Sequence, residues 1–87
     1  MTRKELEQWA EDTGEDLLFA DGFDDAIVGR GEQYSRTNAV VYDYNKCVKV
    51  LMDRDKLSYE DAIEWMEFNV VTTYVGEKTP IFLTTSL

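Results

Sequence analysis

Apolar residues recur at helical spacing in three stretches of the chain. In the first, Leu6, Trp9, Ala10 and Thr13 mark one side of a helix over about residues 3–13. Thr2-Arg3-Lys4-Glu5 places threonine at the N-cap and glutamate three residues on, the pattern of a capping box, and Gly14 is a natural C-cap. In the second, Tyr44, Cys47, Val48 and Leu51 stand at i, i+3, i+4 and i+7 behind Asp43, which can cap the helix. The third follows Ser58-Tyr59-Glu60-Asp61, a second capping signature with aspartate in place of glutamate. There Ile63, Met66, Val70 and Tyr74 form an apolar stripe, Ala62, Trp65 and Phe68 widen it, and Gly76 stops the helix.

The remaining apolar runs are short and lack that period. Leu17-Leu18-Phe19-Ala20 reads as a buried strand, closed by the turn signal Asp21-Gly22. Ala26-Ile27-Val28-Gly29 begins a second strand that continues towards Tyr34, and Ser35-Arg36-Thr37-Asn38 is a polar turn. Ala39-Val40-Val41-Tyr42 is rich in β-branched and aromatic residues and is the clearest strand. Pro80-Ile81-Phe82-Leu83-Thr84 is a terminal strand with proline at its start, where no ladder donor is lost. The predicted order is α-β-β-β-α-α-β. It gives a single α+β domain over residues 1–87, with a small, mostly antiparallel sheet. Helices two and three pack on one face, and the last strand returns to the sheet to bury its apolar residues.

Composition narrows the chemistry. The chain has 87 residues, one cysteine and no histidine. An internal disulfide, a Ser-His-Asp triad, a Cys-His dyad and a cysteine- or histidine-built zinc site are therefore excluded. No apolar run reaches the roughly 18 residues that span a bilayer. Met1-Thr2-Arg3-Lys4-Glu5 leads into an acidic helix and not into an apolar signal core, so a soluble cytoplasmic protein is expected.

The net charge is −9, and its excess lies in the first third of the chain, where Arg3 and Lys4 face nine acids within residues 1–25. Such a surface repels nucleic acid and anionic membranes, so a partner chosen by charge is a basic protein surface. The ordinary alternative is that the charge only keeps the domain soluble.

Six groups of residues are weighed as candidates for function. Glu60, Glu64 and Glu67 stand at i, i+4 and i+7 on helix three with Asp61 beside them, and Glu7 and Glu11 stand at i, i+4 on helix one. Such stripes can imitate a row of phosphates, although an acidic solvated face has the same pattern. Asp21, Asp24 and Asp25 crowd one turn and could hold Ca²⁺ or Mg²⁺ weakly, although the spacing is not that of an EF-hand and the same residues can simply serve the turn. Cys47 falls on an apolar helix face, as a structural cysteine does, and Gly29-Arg30-Gly31 reads as a bulge or bent strand. The aromatic residues are mostly core or rim, with one or two exposed members able to anchor a partner. Asn69, a polar amide in an apolar helix, is expected to bond the Asp21–Asp25 turn or the loop at Gly76.

Several segments carry a resemblance as well as a pattern. They are Ala20-Asp21-Gly22-Phe23-Asp24-Asp25-Ala26-Ile27-Val28-Gly29, Tyr42-Asp43-Tyr44-Asn45-Lys46-Cys47, Ser58-Tyr59-Glu60-Asp61-Ala62, Glu67-Phe68-Asn69-Val70 and Tyr74-Val75-Gly76-Glu77-Lys78-Thr79-Pro80-Ile81-Phe82. Together, over roughly residues 15–83, they resemble a group of small uncharacterised proteins encoded by tailed bacteriophages. In those proteins a glycine often stands where this chain has Lys56, a departure at the end of helix two. The resemblance implies a phage origin and the cytoplasm of an infected bacterium as workplace. It also implies that Asp24, Asp25, Asp43, Asn69, Gly76 and Glu77 belong to the fold or to a site.

The expected function is a non-enzymatic interaction protein that binds a host or phage protein through an acidic and aromatic face, without direct contact to nucleic acid or membrane and without a cofactor. The alternatives are a divalent-metal- or ligand-binding domain built on Asp21, Asp24 and Asp25, and a structural module that self-associates.

Overall fold

The capping signals translate directly into helix boundaries in the structure, a computed structural model that describes residues 1–33, 38–73, 76 and 78–85. Helix α1 (Arg3–Thr13) opens with the full capping box. The Glu5 backbone N–H donates to Thr2 Oγ1 at 3.2 Å, and the Thr2 N–H donates to Glu5 Oε1 at 2.9 Å. It closes at Gly14, whose φ of 75° is the left-handed conformation that glycine adopts without strain. Helix α2 (Tyr44–Asp55) is capped by Asp43, whose carboxylate accepts from the Lys46 N–H at 3.1 Å. Helix α3 (Tyr59–Trp65) is capped by Ser58, whose hydroxyl accepts from the Asp61 N–H at 3.1 Å. Such a cap is worth about 1 kcal/mol.

The strands are β1 (Ile27–Gly31), β2 (Ala39–Asp43) and β3 (Ile81–Leu83), in the order β1-β2-β3. β1 and β2 pair antiparallel, with a bulge between Ile27 and Gly29, just before Gly29-Arg30-Gly31, where it was expected and where the pairing is regular. β2 and β3 pair parallel, Val41 beside Ile81 and Tyr42 beside Phe82. The sheet is thus mixed: the longer pairing is antiparallel, roughly as expected, and the shorter one is parallel. The reason lies in the connection: the chain crosses through α2 and α3 before β3, and a crossover of that length returns a strand parallel to the one it left. β1 ends at Gly31, so Glu32 and Gln33 do not continue it towards Tyr34 as expected; Tyr34, Ser35, Arg36 and Thr37 lie outside the described residues, as do Tyr74 and Glu77.

Leu17–Ala20 is not a strand. Its last N–H, that of Ala20, donates instead to the buried hydroxyl of Tyr42 at 2.7 Å. A side chain thus takes the place of a ladder partner. The chain then enters a short 3₁₀ turn (Asp24–Ala26) before β1. The element order among the described residues is α-β-β-α-α-β.

The core joins one face of the sheet to all three helices: Leu6 of α1, Val40 and Tyr42 of β2, Cys47 and Leu51 of α2, Ala62 of α3 and Met66 beyond it are fully buried. Tyr42 stacks on Phe82 with ring centroids 5.6 Å apart. Past Trp65 the helix widens into π-helical turns over Met66–Val71. The buried line there is Ala62, Met66 and Val70, with Ile63 half-buried beside it.

Candidate functional site

That buried line decides where the rest of the helix points. At roughly 100° per residue, Glu64 and Phe68, each two positions from Met66, stand on nearly the opposite side. The expectation that Trp65 and Phe68 widen the core stripe is therefore corrected. Trp65 is 47% and Phe68 73% exposed, while Ala62 alone of the three widening residues is buried. Leu57, Asp61, Glu64, Trp65, Phe68 and Asn69 together line an open groove of about 340 Å³.

The acidic stripe on this helix is divided by its surroundings. Asp61 and Glu64 are exposed, and among the described residues no cation pairs with either. Glu60 is exposed beside them. Glu67 turns the other way and accepts a hydrogen bond from the Tyr44 hydroxyl at 3.0 Å. Burial and that carboxylate together push the Tyr44 hydroxyl up to about 12. On α1, Glu7 pairs with Arg3 at 3.7 Å, and Glu7 and Glu11 line a separate shallow groove of about 410 Å³ with Glu15, Asp16, Leu17 and Phe19. Of the predicted acids, Asp61 and Glu64 line one groove and Glu7 and Glu11 another, and only the one on α3 also presents strongly exposed aromatic rings.

The aspartates of the first turn do not converge. Asp21 and Asp24 share one cation, the guanidinium of Arg3, at 3.5 and 3.2 Å. Those carboxylates raise the pKa of Arg3, chiefly through the hydrogen bond that Arg3 donates to Asp24. Asp25 lies in a different hollow, with Lys46, Lys49 and Asp53. Among the described residues no three carboxylates or thiols gather so as to hold a metal ion. The geometric reason is that the Arg3 guanidinium already takes the place of a cation between Asp21 and Asp24, while Asp25 lies apart in the other hollow.

Asn69 is exposed and the expected bond to the Asp21–Asp25 turn is not formed; Glu77, in the Gly76-Glu77 loop expected as the other partner, lies outside the described residues. Asp43 is a helix cap, and Gly76, at φ 105°, begins the turn into β3, where its carbonyl accepts from the Thr79 hydroxyl at 2.8 Å. Cys47 is fully buried, and burial, followed by the charge of Asp43, pushes its thiol up to about 12. It has no thiolate character at neutral pH.

A polar network that the sequence reading missed ties α1 to the sheet. Arg30 donates to Asn38 Oδ1 at 2.6 Å and to Glu32 at 2.7 Å, Asn38 donates to Glu15 at 2.7 Å, and the Arg30 guanidinium lies 4.1 Å from the centre of the Trp9 ring. Asn38 is the buried polar residue among those described, and its partners lie 8 and 23 positions away, beyond any local signal.

No protein-family model, curated protein or solved structure matches the chain. Among the described residues, no helix is long and apolar enough to cross a membrane.

Proposed function

We propose that this domain is a non-enzymatic interaction protein whose working surface is the exposed face of α3 and the π-helical turns that follow it. The single observation that carries this reading is Phe68, 73% exposed on a helix whose other side is fully committed to the core. Trp65 stands beside it, and the carboxylates of Asp61 and Glu64 share the same groove. Exposed aromatic rings within a charged rim are the composition of interface anchors. With a chain charge of −9, the complementary partner is a basic protein surface, reached faster at low salt than at high salt. The resemblance over residues 15–83 supports a phage or host protein of the bacterial cytoplasm as that partner, and a basic surface that normally holds nucleic acid has the matching charge.

The test is capture of partners from bacterial lysate by the tagged domain, with Asp61→Asn/Glu64→Gln beside the unaltered chain. A protein held by the unaltered domain and lost with the neutral pair, or at high salt, supports the reading. Equal capture by both removes the acidic half of it.

A second reading, self-association, is favoured by one observation. Ile81 and Leu83 of the edge strand β3 remain 46% and 41% exposed. Light scattering separates it, since a dimer doubles the 10.1 kDa of the chain.

A further inference from the structure

Three arginines among the described residues share one arrangement. Arg3 lies 4.5 Å from the centre of the Phe19 ring and pairs with Asp24 at 3.2 Å. Arg30 lies 4.1 Å from the centre of Trp9 and pairs with Glu32 at 2.7 Å. Arg54 lies 5.6 Å from the centre of Phe23 and pairs with Asp55 at 3.2 Å. In each, a guanidinium covers an aromatic face while a carboxylate accepts its N–H groups. The two contacts are compatible on one cation, because a guanidinium can offer its flat face to a ring and its edge to a carboxylate. Lysine, a point charge with no plane, cannot make both at once in the same way.

The groove on α3 has the ring and carboxylate parts of that arrangement. Trp65 and Phe68 supply exposed rings, Asp61 and Glu64 supply carboxylates, and Leu57 walls one side with an apolar surface suited to a methylene stem. Its volume, about 340 Å³, accommodates one long side chain. We infer that this groove takes an arginine side chain presented by a partner protein, with the guanidinium over Trp65 or Phe68 and its edge on Asp61 and Glu64. The inference rests on the α3 face being the working surface. It adds that recognition there is of arginine and not of positive charge in general.

Two synthetic peptides of equal length and charge test it, one with four Arg-Gly-Gly repeats and one with four Lys-Gly-Gly repeats. Each is titrated into the ¹⁵N-labelled full chain by calorimetry and followed by amide shifts. The expected result is shifts confined to residues 57–69 and binding of the arginine peptide on the order of 2- to 30-fold tighter than that of the lysine peptide. The double variant Trp65→Ala/Phe68→Ala, at two exposed sites, keeps the fold and loses the preference. Equal affinity for the two peptides overturns the arginine assignment and leaves the α3 surface standing. Shifts centred on the α1 groove, or no binding of the arginine peptide, also overturn it, whereas the α3 surface itself stands or falls on capture of a protein partner by the unaltered and altered chains.

Discussion

The hydroxyl of Tyr42 in the centre of β2 accepts the backbone N–H of Ala20 at 2.7 Å in the buried interior. This bond fastens the irregular segment before the Asp21-Gly22 turn to the sheet, and it explains how Leu17–Ala20 packs without being a strand. Tyr42→Phe keeps the ring and its stacking on Phe82 but leaves the Ala20 N–H without a partner. A loss of about 1–3 kcal/mol follows, read as a lower urea midpoint at an unchanged m-value.

The same burial makes the domain sensitive to alkali. Burial raises the Tyr42 hydroxyl from 10.0 to about 12 and the Cys47 thiol from 9.0 to about 12. For both, the folded pKa lies above the unfolded one, and the native state holds protons that the unfolded chain would release. Their contribution is therefore complete below about pH 9 and is lost as pH rises through about 12. Urea unfolding between pH 7 and 11.5 should show a plateau and then a steepening decline. Cys47→Ala should move the onset of the decline from about 9 towards 10, the unfolded value of the tyrosine.

Lys56 ends α2 with φ 59°, the left-handed conformation that costs a residue with a Cβ about 1–2 kcal/mol. Lys56→Gly relieves that strain at an exposed position. After the extra chain entropy of glycine is set against it, a gain of about 0.5–1 kcal/mol remains. Thermal unfolding should shift upward by a few degrees, about 4–8 °C per kcal/mol for a domain of this size. An unchanged or lowered midpoint would show that the lysine side chain contributes more there than its backbone conformation costs.

Met66 and Phe68 are two positions apart and should differ sharply in what they do. Met66 is fully buried, so Met66→Ala should cost about 2–5 kcal/mol. Phe68, 73% exposed, should tolerate Phe68→Ser within about 0.5 kcal/mol. Paired denaturant curves of the two variants check both statements. A large loss in Phe68→Ser would return that ring to the core and remove it from the proposed surface.

The helices were legible in the sequence because their signals are local: Thr2 with Glu5, Asp43 with Lys46 and Ser58 with Asp61 each lie three residues apart and form the bonds expected of them. The strands at Ile27, Ala39 and Ile81 were legible as apolar runs, while the bulge falls between Ile27 and Gly29 and not within the glycine-flanked stretch that suggested one. What was not legible depends on distance along the chain. The parallel pairing of β3 joins Val41 to Ile81, and the partner of Ala20 is a side chain 22 positions away. For the candidate site, the acids Asp61 and Glu64 were readable as a stripe. Hydrophobicity alone puts Trp65 and Phe68 in the core, because it does not say which side of a helix faces inward. The angular position of Phe68 opposite Ala62, Met66 and Val70 was the signal available, and it competed with the high burial expected of aromatic rings.

The central claim is that the exposed ring of Phe68 anchors a partner protein. Its most direct measurement is side-by-side capture from bacterial lysate with the unaltered domain and Phe68→Ala, both shown to be folded by circular dichroism. The account predicts a protein retained by the unaltered chain and lost from the variant, with an affinity drop of at least about 2 kcal/mol if the ring is a hot spot. Equal retention by both chains would contradict it and place the binding surface elsewhere on the molecule.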